Sequence, residues 1–78
     1  MRRLGSIPEF QAAVRDGSRL LITDSANGDK VHVATCSHVK QRYFEQKVIE
    51  GGEKNGSYFV LETASEGEGI RRCPVCLG

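Results

Sequence analysis

Hydrophobic positions recur along this chain in short runs of two different periods, broken by glycine-rich stretches. Phe10, Ala13 and Val14 share one face at helical spacing. Ahead of them Ser6-Ile7-Pro8-Glu9 reads as a capping box: Ser6 is the N-cap, Glu9 follows three residues later, and Pro8 sits in the first turn, where its missing N–H costs little. Gly17 stands where a C-cap would end the helix, so the pattern predicts a helix from about Ile7 to Asp16. Two apolar strand-like runs follow, Arg19 to Thr23 and Lys30 to Ala34. Asn27-Gly28 between them is a strong hairpin signal. Alternation along the second run puts His32 and Ala34 on the face opposite Val31 and Val33.

The stretch from Ser37 to Glu50 fits two patterns. Val39, Tyr43, Phe44 and Val48 can form a helical stripe, or Phe44 to Glu50 can form a strand. Residues 51–56, GGEKNG, are a turn or loop, and Ser57 to Glu62 is the clearest strand of the chain. A second hairpin closing over that glycine-rich loop is the favoured arrangement. Thr63 to Glu66 reads as one helical turn before Gly67 and Gly69. The expected fold class is α+β: one small domain over residues 1–78, with an N-terminal helix and strand in 6–23, β-hairpins, and a C-terminal metal knuckle.

Length and composition make such a domain hard to hold together. With 78 residues, 38% hydrophobic composition, no Trp and a mean hydropathy of -0.37, the core is thin. Chains of this size often need a metal or disulfides. The residues that would meet this need are His32 and Cys36 in VHVATC and Cys73 and Cys76 in RRCPVC. They spell H-x3-C and C-x2-C, a full set of donors for one tetrahedral Zn²⁺. All three cysteines of the chain are used, and their odd number argues against a disulfide framework. Structural zinc binding contributes on the order of 10 kcal/mol, which in a small domain is folding free energy. The expected cofactor is therefore one structural Zn²⁺ per chain.

VHVATC, the aromatic pair Tyr58-Phe59, TASEGEG and IRRCPVC occur in an order that resembles the metal-binding domain of the Ada DNA-repair family and related small zinc modules appended to DNA enzymes. The resemblance covers about residues 29–76. It implies zinc thiolates at Cys36, Cys73 and Cys76, with His32 on the fourth ligand position. In the Ada family that position is a cysteine, the nucleophile that accepts a methyl group from a DNA phosphotriester. Histidine there removes one unit of negative charge from the centre and quiets the remaining thiolates. Methyl transfer is therefore the least favoured of the functions considered.

The net charge is +1, but residues 1–49 carry eight Lys/Arg against five Asp/Glu and residues 50–78 carry three against five. Lys30, Lys40, Arg42, Arg71 and Arg72 lie within a few residues of a ligand and are the candidate phosphate contacts. Tyr43 or Tyr58 would be the stacking surface. DNA binding is the preferred function and a protein-interaction module the alternative. Clustering of the basic side chains on one face favours the first, and scatter favours the second. Four protein ligands close the metal to substrate water, and no paired carboxylates or phosphate-cradling loop appear, so no catalytic residue is assigned and no small-molecule substrate is expected. His38, two residues after Cys36, is in a poor chelating position and is expected at the surface or just outside the ligands. The N-terminus lacks the apolar segment of a secretory signal, no run approaches membrane length, and reduced thiols suit the cytoplasm, the expected compartment.

Overall fold

In the computed structural model, which describes residues 1–76, the chain is α+β, with a four-stranded antiparallel sheet and helices on one face. The expected N-cap forms: the N–H of Glu9 donates to Ser6 Oγ (3.4 Å), the Glu9 carboxylate accepts from the Gly5 N–H (3.2 Å) rather than from that of Ser6, and helix α1 runs Ile7–Arg15. The sheet comprises β1 (Arg2–Leu4), β2 (Arg19–Ile22), β3 (Lys30–His32) and β4 (Tyr58–Leu61), in the order β1-β4-β2-β3. β2 and β3 form the expected hairpin, pairing Leu20 with His32 and Leu21 with Val31. Asp24 organises its turn: Oδ1 accepts from the N–H groups of Ala26 (2.8 Å) and Asn27 (2.9 Å). Those two bonds, with Lys47 on Oδ2, hold the Asp24 carboxyl down at about 2.

The second expected hairpin does not form. The ambiguous segment is helical: α2 (Gln41–Phe44) runs on into the wider π-type turns of Glu45–Glu50. Within the helical stretch Phe44 and Val48 are buried, as is Val39 just before it, while Tyr43 stays 44% exposed. Packing decides the choice. Phe44 stacks on Phe10 of α1 with ring centroids 4.8 Å apart, and both rings meet Tyr58 of β4 edge-on. β4 therefore pairs with β2, and on its other side with β1, a strand the sequence pattern did not suggest. Its entry is tight. A Cβ on Gly56 would lie 1.9 Å from the Thr23 carbonyl oxygen, so only glycine lets Ser57 exchange hydrogen bonds with Thr23.

The core lies between the sheet and the two helices. Leu4, Leu20, Ile22, Tyr58 and Val60 meet Phe10, Ala13, Phe44 and Val48, and the cluster continues without a break to Cys36 and Cys73. No helix among the described residues is long and apolar enough to cross a membrane.

Candidate metal centre

His32, Cys36, Cys73 and Cys76 converge, with one ligand atom from each lying within 4.8 Å of all the others. Three local structures bring them together. His32 ends β3 on the face that looks into the core and is buried. Cys36 follows in a tight turn in which its N–H donates to the Val33 carbonyl (3.0 Å). Residues 71–73 then run parallel to the outer edge of β3. The Val31 N–H donates to the Arg71 carbonyl (2.8 Å) and the Cys73 N–H to the Val31 carbonyl (2.9 Å). That two-bond ladder sets Cys73 beside His32, and the turn Pro74–Cys76 carries the fourth donor back.

The sulfurs sit among backbone donors aimed at them. Val75 and Cys76 offer N–H groups to Cys73, His38 offers its N–H to Cys36, and the Val33 N–H lies 3.4 Å from Cys76 Sγ. Burial alone would raise the Cys73 thiol, but the donors of Cys76 and Val75 outweigh it and bring the thiol down to about 7. Cys36 moves the other way, pushed up to about 11 by burial. A divalent cation would deprotonate both. Burial, followed by the charges of His38, Lys30 and Lys47, lowers His32 and favours its neutral imidazole, the ligating form. Its Nδ1 is buried without a hydrogen-bond partner, as expected of a nitrogen reserved for a metal. All three cysteines are free thiols. The donor set, its burial and the orphaned nitrogen fit a bound metal ion.

His38 stands just outside this set. It is exposed, its Nδ1 is 3.8 Å from Cys73 Sγ and its ring is 6.2 Å from that of His32. From there it can hydrogen-bond a thiolate, a role that orients ligands and lowers their reactivity.

The basic residues do not share a surface. Lys40 and Arg42 lie at the start of α2, in the helix layer. Lys30 opens β3, and Arg71 and Arg72 are consecutive on the extended segment beside it, so they point to opposite sides. Arg72 lines a groove on the sheet face away from α1 and α2, together with Arg19 and with Gly67 of the 3-10 turn Ala64–Gly67. The sequence reading did not single out Arg19 or Arg3, because neither adjoins a ligand in the chain. Only the strand register brings them to that face.

The chain matches no protein-family model, no curated protein and no solved structure.

Proposed function

We propose that this chain is a zinc-stabilised DNA-binding module in which one Zn²⁺, held by His32, Cys36, Cys73 and Cys76, is structural. The converging His-Cys-Cys-Cys cluster carries the reading. Zinc suits it for a geometric reason. A tetrahedron with Zn–S bonds of about 2.3 Å has S···S edges of about 3.8 Å. Cys36 Sγ and Cys73 Sγ are 3.8 Å apart. Four protein donors and near-complete burial leave no position for substrate, which supports a structural role over a catalytic one.

The DNA reading rests on the resemblance of VHVATC and RRCPVC to the Ada family and on the basic residues flanking them, Lys30, Lys40, Arg42, Arg71 and Arg72. Division of those five between two faces, with a net charge of only +1, favours a second reading, a zinc-stabilised protein-interaction module without nucleic-acid binding. Methyl transfer from DNA phosphotriesters is not proposed, because the resemblance puts His32 where the Ada family has its nucleophilic cysteine. Exposure to methylated DNA should leave the protein mass unchanged. Native mass spectrometry with metal analysis should find one zinc per chain; a folded chain without metal overturns the zinc reading. Salt-dependent binding to DNA tests the rest, and no binding at low ionic strength leaves the interaction module.

A further inference from the structure

The sheet face opposite α1 and α2, partly covered by the 3-10 turn Ala64–Gly67, carries a cross-strand row with an arginine at each end. The register sets Arg3 opposite Phe59, Phe59 opposite Leu21, Leu21 opposite Val31, and Val31 beside Arg72. Directly paired residues point to one side, so these five form one strip, over which Gly67 packs at Val31. Across four strand spacings it is roughly 19 Å long. In the adjoining row Arg19 pairs with Leu61. Arg19 and Arg72 line one groove of about 380 Å³ whose apolar wall includes Val31 and Leu61.

The strip offers both kinds of contact that a nucleotide chain uses. Leu21 and Val31 are buried, while Phe59 and Leu61 remain half-buried and accessible, and all three arginines are exposed. Among the described residues Arg19 and Arg72 have no ion-pair partner. Arg3 meets Glu53 at 3.3 Å, an exposed pair of the kind that contributes little. Acidic groups also rim the groove. Glu62 is 3.3 Å from the amino group of Met1, whereas Glu68 has no such partner among the described residues and opposes an anion there.

We infer that this face binds single-stranded nucleic acid, with a base against Phe59 and phosphates on Arg19, Arg72 and Arg3. The inference rests on the DNA-binding reading above and names its surface and strand form. A duplex hides the faces of its bases, and a sheet face lined with Phe59 and Leu61 offers nothing to its groove edges. An unpaired strand presents base faces for stacking while its phosphates reach planar guanidinium groups.

Fluorescence anisotropy with oligothymidine, oligouridine and a DNA duplex of equal length tests it on the zinc-loaded protein. Oligothymidine should bind more tightly than duplex, with a log–log salt slope of about −2 for three neutralised phosphates. Phe59→Ala should weaken binding roughly 5- to 160-fold. The double variant Arg19→Gln, Arg72→Gln should flatten the slope by about 1.4, and Glu68→Gln should tighten binding. Zinc content and circular dichroism report folding; if Phe59→Ala misfolds, the exposed arginine pair decides. Unchanged binding in the arginine pair with loss in Lys40→Gln, Arg42→Gln overturns this face and leaves the DNA reading standing, as does preference for duplex. Binding of oligouridine alone keeps the face and overturns DNA as the partner. No oligonucleotide bound at low salt overturns both.

Discussion

Cys73→Ser is the sharpest test of a metal-held fold. Cys73 is 0% exposed, its sulfur is 3.8 Å from Cys36 Sγ, and it lies in the same buried cluster as Phe10, Phe44 and Tyr58. Thirty-six residues separate Cys36 from Cys73, and that interval contains α2 and β4. A cross-link closing a loop of this length removes about 4 kcal/mol of chain entropy from the unfolded state. A domain this small is stable by about 4–12 kcal/mol in total. Losing the constraint alone therefore removes a third or more of the stability, before any lost coordination energy is added. At about 4–8 °C per kcal/mol, the melting temperature should fall by at least about 16 °C. In the wild type, removing the bound metal with a chelator should abolish the cooperative transition. Differential scanning calorimetry with parallel metal analysis reads both. A Cys73→Ser protein that has lost its metal yet melts within a few degrees of wild type would refute the reasoning, because the apolar core would then hold the strands unaided.

Gly56→Ala should destabilise the protein by more than about 2 kcal/mol in urea titration, because the new methyl would meet the Thr23 carbonyl oxygen at 1.9 Å and the backbone φ of +149° disfavours a side chain; a neutral result would mean that β4 enters the sheet differently. Phe44→Ala, emptying a fully buried site stacked on Phe10, should cost about 3–5 kcal/mol, and a shift under about 1 kcal/mol would refute the aromatic core. Burial, with a smaller contribution from Asp24, pushes the Tyr58 phenol up to about 12. Its folded pKa lies above the unfolded value near 10, so the stability it contributes is complete below pH 10 and is lost as pH rises through 12. The chain has no Trp. Ultraviolet titration of a Tyr43→Phe variant therefore isolates the Tyr58 signal, and ionisation near pH 10 in a still-folded protein would contradict its burial.

The sequence by itself determined what depends on neighbours a few residues apart. The Ser6 N-cap fixed the start of α1, and Asn27-Gly28 marked the loop, organised by Asp24, that joins β2 to β3. The H-x3-C and C-x2-C spacings fixed which side chains can reach one metal ion, since each pair is placed by its own turn. Tertiary structure decided everything that joins distant segments. Residues 39–50 fit a helix or a strand on pattern alone, and docking of Phe44 against Phe10 and Tyr58 selected the helix. With that segment helical, β4 had no hairpin partner and inserted between β1 and β2. β1 itself is three residues long, too short to show a period. The same insertion gathered Arg3, Phe59 and Arg19 on one face, and the bridge to Val31 added Arg72, although 69 positions separate the first from the last. Periodicity encodes which side of an element is apolar, but not which of several compatible elements will cover it. That choice belongs to long-range packing, where burial of a few large rings outweighs weak local preferences.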